Sequence, residues 1–224
     1  MLRHYKSLTH SVVGLANAGR SHSRLRDSLA SKKVQEELVR MAHYADAHAL
    51  STGLLSSASV RLKGDKFLIT DRRSWFGDLT TRDLTIGSLQ SSPMIQQQDL
   101  PEDSDWHRFL YLHTAAQWGL LVQPASIMAL MYHHYPLDPQ ALPAASEQLG
   151  TVPAYDESPA ALQPLLGYVQ AGQALLLAGK GVLVWGGSSR ETLARAQLVT
   201  RWAEVMLMCQ PVRNASQHLN NHPE

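Results

Sequence analysis

The sequence contains a single cysteine, Cys209, among its 224 residues. One thiol excludes a disulfide framework and any zinc site built from several cysteines. An excess of charge of one sign is also absent, because 20 lysines and arginines face 19 aspartates and glutamates, a formal net charge of +1. This balance does not point to a nucleic-acid partner. The sequence has no run near the roughly 20 consecutive apolar residues that cross a bilayer, so we expect no membrane span.

Composition and length indicate one globular domain. Hydrophobic residues make up 44% of the chain and charged residues 17%, which is typical of globular rather than disordered or fibrous proteins. A chain of 224 residues forms one generous domain more readily than two small ones.

Eleven histidines are the unusual feature of the composition, and they suggest a metal site. Their positions argue against one. His107 and His113 are six residues apart on one predicted helix, which places them about 120° away from a common face. His133 and His134 are adjacent, and neighbouring side chains on a helix point about 100° apart. We therefore predict surface or helix-face histidines rather than a ligand triad.

The N-terminus allows two interpretations. Residues 1–26 contain five lysines and arginines, several serines and no acidic residue, which is the composition of a mitochondrial presequence. The alternative is an amphipathic helix over residues 2–18 that packs on the surface. We prefer the helix, because such a bias over a short window is common, and we predict a cytoplasmic protein with the presequence as the alternative.

Hydrophobic periodicity divides the chain into helices and strands. The predicted helices are 21–49, 104–119, 126–132, 162–171 and 189–209. The predicted strands are 59–62, 67–70, 83–89, 120–122, 174–178 and 182–185. Hairpins and helices without regular alternation of strand and helix favour a largely antiparallel or mixed sheet with helical layers.

Two stretches of the chain carry a family pattern. The first contains Gly64-Asp65-Lys66-Phe67-Leu68-Ile69-Thr70 and Gly77-Asp78-Leu79-Thr80, and the second runs from Leu175 through Gly179-Lys180-Gly181 to Gly186. They resemble the class II aldolase/adducin family, whose members read approximately Ile-Thr-Pro-Ser-Gly, Asp-Leu-Thr-x-x-Asp-Leu and Asn-His-Gly-x-x-x-x-Gly there. The resemblance covers roughly residues 34–209.

This resemblance implies a single three-layer αβα domain with a central mixed, largely antiparallel sheet. It also implies a homotetramer with active sites near subunit interfaces. Enzymes of the family hold zinc or another divalent ion through a His-x-His pair and the histidine of Asn-His-Gly. The ion polarises a carbonyl and stabilises an enediolate during aldol cleavage, epimerisation or dehydration. A glutamate moves protons, and glycine, asparagine and serine residues cradle a substrate phosphate.

At the positions of the three metal ligands this chain has other residues. The His-x-His pair becomes Gln123 and Ala125, and the histidine of Asn-His-Gly becomes Lys180. An amide, a methyl group and an ammonium cannot replace three imidazoles around a divalent ion. We therefore predict no metal and no other cofactor.

The remaining family positions supply the other candidate site residues. The candidate ligand-binding residues are Ser56, Ser57, Arg72, Arg73 and Gln123. The candidate catalytic residues are Lys180, Asp103 and Asp105, where either aspartate replaces the family glutamate. Lys180 could neutralise that aspartate or act as a base or Schiff-base nucleophile, whereas the simpler interpretation of Gly-Lys-Gly is an exposed hairpin turn. The two arginines could bind an oxyanion or simply face solvent.

From these residues we predict an N-terminal helical extension (1–33), a class II aldolase/adducin-like domain (34–209) and a polar, disordered tail (210–224). The predicted role is non-catalytic: binding or scaffolding, as in adducin itself, for a small anionic ligand or a protein partner, in a homo-oligomer and most simply a tetramer. The alternative is a metal-independent lyase or isomerase that acts on a small carbonyl or sugar-phosphate substrate through Lys180 with Asp103 or Asp105. A third, less favoured, is a zinc-dependent aldolase in which His133 or His134 completes the ligand set.

Overall fold

A computed structural model describes residues 29–90, 100–156 and 166–219, with side chains as far as Cys209. Its helices are α1 (Lys32–Ala47), α2 (Ser104–His113), α3 (Ala125–Tyr132), α4 (Pro143–Leu149), α5 (Leu166–Ala171) and α6 (Ser189–Leu219). Its strands are β1 (Ser57–Arg61), β2 (Lys66–Thr70), β3 (Leu84–Ser88), β4 (Trp118–Val122), β5 (Ala154–Tyr155), β6 (Ala174–Leu177) and β7 (Gly181–Gly186). The predicted N-terminal helix or presequence lies outside the described residues.

The strands form one seven-stranded sheet in the order β3-β2-β1-β4-β7-β6-β5. Every neighbouring pair is antiparallel except β5 with β6, which is parallel. The prediction of a mixed, largely antiparallel sheet is therefore confirmed.

Helices cover both faces of the sheet, because successive residues of a strand point to opposite sides. In β4, Leu120 and Val122 belong to a core shared with α1, α3, α4 and α6. Leu121, between them, belongs to a second core shared with α2 and α5. These two cores make the fold a three-layer αβα domain, as the resemblance implies.

The strand register brings distant parts of the sequence together at one end of the sheet. Ser57, the first residue of β1, pairs with Leu121 near the end of β4. Val122, the last residue of β4, pairs with Val182 near the start of β7. The turn before β1, the residues after β4 and the β6–β7 turn therefore meet.

Several predicted boundaries are wrong. Helix α1 begins at Lys32, where the Ser31 side chain accepts a hydrogen bond from the Val34 amide as an N-cap. Helix α2 ends at His113 rather than near Gly119, because the chain there enters β4. Helix α4 is absent from the prediction; it begins at Pro143, and a proline at the first helical position has no amide to lose.

The last helix is longer than predicted. It continues to Leu219 instead of ending near Cys209, because a proline such as Pro211 removes one hydrogen bond without having to end a helix. The division of the chain into an extension, a domain and a tail stays a prediction. Across the described ranges, no helix combines the length and the apolar character that a membrane crossing requires.

Candidate functional site

A cavity of about 470 Å³ lies at the end of the sheet where β1, β4 and β7 meet. Its wall is built from the turn before β1, the residues after β4, the β6–β7 turn and the residues that lead into α2. We call it the polar cavity. Six of the predicted site residues line it: Ser56, Ser57, Arg72, Asp103, Gln123 and Lys180.

Lys180 and Asp103 form an ion pair in the polar cavity. The ammonium Nζ of Lys180 donates to Oδ1 of Asp103 over 2.5 Å. The lysine side chain is 44% exposed and the aspartate side chain 15%. Asp103 is the N-cap residue of α2 but makes no side-chain capping hydrogen bond. Its carboxylate is instead directed to the ammonium, so the β6–β7 turn presents its charge at the wall of the cavity.

Two glycines shape the turn that presents Lys180. Gly179 has a φ of +69° and Gly181 a φ of +111°, values that residues with a Cβ rarely adopt. A Cβ on Gly181 would also lie 2.1 Å from the carbonyl oxygen of Val122. The sequence Gly-Lys-Gly is therefore required by the backbone at its two ends, while its middle residue faces the site.

Gln123 holds the wall of the polar cavity together. Its side-chain oxygen accepts a hydrogen bond from Ser56 Oγ at 2.7 Å, and its side-chain nitrogen donates to the carbonyl of Leu55 at 2.8 Å. Its own carbonyl accepts from Thr52 Oγ1 at 3.0 Å. The amide thus ties the turn before β1 to the end of β4.

Arg72 is the second cation of the polar cavity. One of its terminal nitrogens donates to Glu102 over 2.8 Å, in a pair whose two side chains are 56% and 74% exposed. Arg73 and Asp105, which the sequence groups with these residues, are not among the residues that line the cavity. Asp105 instead forms an ion pair with Arg108 one turn further along α2, because the helix turns its side chain away from Asp103.

A buried hydrogen-bond network lies directly behind the polar cavity. Nε2 of His107 lies 2.8 Å from Ser57 Oγ, and its Nδ1 lies 2.7 Å from Ser59 Oγ. Ser59 Oγ in turn lies 2.7 Å from the hydroxyl of Tyr111. His107 lies on a helix, as one of the two predicted alternatives has it, but on the inner face, where it is fully buried rather than at the surface.

Burial sets the protonation of this network. It lowers the pKa of His107 from 6.5 to about 3 and raises the pKa of Tyr111 well above its usual value. Both groups are therefore neutral at pH 7. A neutral imidazole accepts at one nitrogen and donates at the other, so it suits the two serine hydroxyls that flank it. The network positions Ser57 in the cavity wall.

The amide of Gln123 offers a direct test of this geometry. The substitution Gln123→Glu would set a carboxylate oxygen against the Leu55 carbonyl. We expect it to lower the free energy of unfolding by about 2 kcal/mol at pH 7, since a buried acceptor loses its donor. The loss should shrink when the carboxyl is protonated and can donate. Urea unfolding at pH 7 and pH 5 measures both values, and Gln117→Glu, at an exposed position before β4, is the control.

The fold and the cavity define a three-layer αβα domain with a polar site at one end of its sheet. Residues 36–207 match the model of the family described as class II aldolase and adducin N-terminal domain. Since the match covers well over half of the sequence, the chain belongs to this family. A sequence comparison with curated proteins finds no match.

Solved structures share this fold. L-fuculose-1-phosphate aldolase from Thermus thermophilus superposes with a TM-score of 0.68 at 24% identity, over 78% of this chain and 94% of the aldolase. An aldolase II superfamily protein from Pseudomonas syringae gives 0.66 at 16% identity, over 86% and 82%. A sugar-phosphate aldolase from Thermotoga maritima gives 0.62 at 15% identity, over 80% and 95%. At these identities the likeness establishes the fold.

The residues at the positions of the family's metal ligands do not fit a divalent ion. Lys180 brings a positive charge, and both ends of the Gln123 side-chain amide already have protein partners. Ala125 carries no donor atom. Within residues 29–90, 100–156 and 166–209, no three histidine, cysteine, aspartate or glutamate side chains form a group that could hold a metal.

Proposed function

We propose that this protein binds a small anionic ligand in the polar cavity and that Lys180 supplies the positive charge that a metal ion supplies in the family's enzymes. The observation that carries the proposal is the position of the Lys180 ammonium inside the cavity wall, beside Asp103. The ion pair uses one of the three N–H donors of the ammonium, so the others can serve a ligand.

Further groups in the cavity suit an anion. The guanidinium of Arg72 carries five N–H donors, whose planar arrangement matches phosphate and carboxylate oxygens. Ser56 and Ser57 line the same wall, and their hydroxyls are bonded to Gln123 and His107, so they shape the cavity rather than supply its main donors. Helix α3 begins at Ala125, also in the wall, and the positive end of its dipole favours a negative charge.

Binding without turnover agrees best with the way the groups are arranged. The Ser56 hydroxyl and the Gln123 amide are engaged with each other, and the Lys180 ammonium is engaged with a carboxylate. Such contacts hold the wall in place, and the remaining N–H groups of Lys180 and Arg72 are left as donors for a ligand. This proposal treats the chain as a family member that keeps the fold and the ligand cavity without the metal.

A metal-independent lyase or isomerase is the second candidate, because an amine and a carboxylate lie in contact in the same cavity. Lys180 would pass a proton to Asp103 and attack a substrate carbonyl as the free amine, and the resulting carbinolamine would lose water to form an imine. Incubation with small aldehydes and borohydride, followed by mass spectrometry of the peptide that contains Lys180, tests it. An adduct at Lys180 would favour the enzyme, and unmodified peptide favours binding alone.

The binding proposal predicts a clear effect of the substitution Lys180→Ala. We expect it to weaken the binding of methyl phosphate at least tenfold, because loss of a charge-assisted hydrogen bond removes about 1.5 to 3 kcal/mol. Isothermal titration calorimetry at low salt measures the dissociation constant. Lys63→Ala is the matched control, since Lys63 is exposed in the turn at the far end of β1 and β2.

Two results would contradict the proposal. Equal affinity of the Lys180→Ala and wild-type proteins for methyl phosphate would remove the lysine from the site. One tightly bound zinc or manganese ion per chain in the purified protein would contradict the metal-free cavity. Light scattering after gel filtration tests the separate proposal of a homo-oligomer, for which a monomer would be the contrary result.

A further inference from the structure

A second recess, larger than the polar cavity, adjoins it. The recess has a volume of about 930 Å³ and is lined by α3, the segment that follows α3, β5 and β6. The two spaces share Met128 and Gly179 as wall residues. We call the second space the aromatic recess, after the side chains that dominate it: Met128, Met131, Tyr132, Tyr135, Tyr155 and Leu176.

Aromatic rings are exposed on this recess in an ordered cluster. The ring of His133 stacks on Tyr135, with centroids 5.6 Å apart and an angle of 21° between the planes. Tyr132 meets the same imidazole edge-on, at 5.2 Å and 83°. Tyr132 is 81% exposed and Tyr135 37%. Large rings gathered at the surface around a recess mark a binding site more often than an ordinary surface.

The junction between the two spaces is open on the side of the β6–β7 turn. At Gly179 a Cβ would meet no atom within 4 Å, so the chain presents bare backbone there. Met128, the other shared residue, is partly buried and has a flexible, unbranched side chain that adapts to what lies beside it. A ligand held at Lys180 therefore lies beside Gly179, the residue that borders both spaces.

The two spaces also differ in charge. In the polar cavity the charges of Arg72 and Lys180 are balanced by Glu102 and Asp103, whereas Asp156 brings an unbalanced negative charge to the residues that line the aromatic recess. A second anionic group would be repelled by Asp156, and an apolar or aromatic group would cover the exposed rings. The recess thus suits the uncharged part of a ligand.

We propose that the ligand has two parts, an anionic head group held in the polar cavity and an aromatic or other apolar tail that lies in the aromatic recess. This inference rests on the proposed function, because the head group occupies the same polar cavity. It changes the expected class of ligand, from a short sugar phosphate or a free anion to an aryl-alkyl phosphate or carboxylate.

A series of phosphate monoesters tests the two parts separately. Methyl phosphate is compared with phenylalkyl phosphates whose linkers have one to four methylene groups, by calorimetry on the full chain. We expect the best-fitting linker to bind on the order of 10- to 100-fold more tightly than methyl phosphate, because its ring is buried in the recess. The double variant Tyr132→Ala/Tyr135→Ala should lose this gain and keep the affinity for methyl phosphate.

One control variant and two contrary outcomes complete this test. Tyr168→Ala removes a tyrosine that is also exposed, at 53%, but lies on α5, and it should leave the gain unchanged. No gain from any tail, with methyl phosphate still bound through Lys180, overturns this inference and leaves the proposed function standing. If the wild-type protein does not bind methyl phosphate, both this inference and the proposed function are refuted.

A further measurement tests whether a second copy of the chain, rather than a ligand, covers the recess. Light scattering compares the wild type with the double variant in the absence of ligand. An unchanged molecular mass is expected for a ligand recess. A lower mass for the variant would assign the rings to a contact between copies and overturn the inference.

Discussion

Replacing Gly181 with alanine is expected to lower the free energy of unfolding by roughly 2 to 5 kcal/mol. The new Cβ would lie 2.1 Å from the Val122 carbonyl oxygen, a backbone atom of the neighbouring strand that cannot rotate away. Overpacking of this kind costs about 1 to 3 kcal/mol, and the φ of +111° adds strain of about 1 to 2 kcal/mol for a residue with a Cβ. Thermal unfolding should show a midpoint about 10 °C lower.

The same turn contains the control. A Cβ on Gly179 would meet nothing within 4 Å, so Gly179→Ala adds only the strain of a positive φ, about 1 to 2 kcal/mol. The Gly181 variant should also bind methyl phosphate poorly, because the displaced carbonyl precedes Gln123 in the cavity wall. Equal midpoints for the two variants would show that the chain relaxes around Gly181 and that the close approach to β4 does not determine the turn.

His107 is expected to make the stability of the protein strongly dependent on pH. Its pKa in the folded state is about 3, against 6.5 for an unperturbed histidine. Below pH 6.5 the unfolded chain binds a proton at this residue and the folded chain does not. The stability contributed by the neutral histidine is therefore complete above pH 6.5 and is lost progressively as the pH falls toward 3. Between pH 7 and pH 5 the loss amounts to about 2 kcal/mol.

Comparison with the variant His107→Gln isolates this contribution from that of the carboxylates. Glutamine does not titrate, so the free energy of unfolding of this variant should fall by about 2 kcal/mol less than that of the wild type between pH 7 and pH 5. Urea unfolding at several pH values measures the slope. His48→Gln, an exposed position, should keep the wild-type slope. If the glutamine variant does not fold, Tyr111→Phe is measured in its place. This variant keeps the histidine, so its free energy of unfolding should depend on pH with the wild-type slope. A wild-type slope in the glutamine variant would contradict the assignment.

The layers and the sheet can be predicted from the sequence because they follow from local periodicity and from family motifs. The alternation around Gly64 predicts the β1–β2 hairpin, and the apolar runs on both sides of Gly179-Lys180-Gly181 predict β6 and β7. Short elements escape this reasoning. Helix α4 has only seven residues and β5 only two, so neither carries enough repeats for a period to be recognised.

The candidate site can be predicted in part. Six of the candidate residues lie together in space because each follows or precedes a recognisable strand or helix. Two aspartates two positions apart cannot be separated by spacing alone, since the choice between Asp103 and Asp105 depends on where α2 begins. The N-cap position of Asp103 decides which carboxylate faces Lys180.

The prediction misplaces His107 for a different reason. Its spacing from His113 argues only against a shared metal ion and does not report burial, because its hydrogen-bond partners come from β1, about fifty residues earlier. Tyr111 follows His107 by one helical turn and lies on the same face of α2. Ser57 and Ser59 are two positions apart in β1, so both point to the side of the sheet that α2 covers. Two hydroxyls at a spacing of two in a strand opposite a helical histidine are the signal that could have revealed the network.

The β6–β7 turn has a consequence for how this protein can change. Its two glycines meet the demands of the backbone, and Lys180 between them has no positive φ and a side chain that is nearly half exposed. Position 180 can therefore exchange one functional group for another while the sheet stays intact. A histidine, an arginine or a neutral side chain could occupy the same turn, and the kind of ligand accepted at this end of the sheet can evolve independently of the fold.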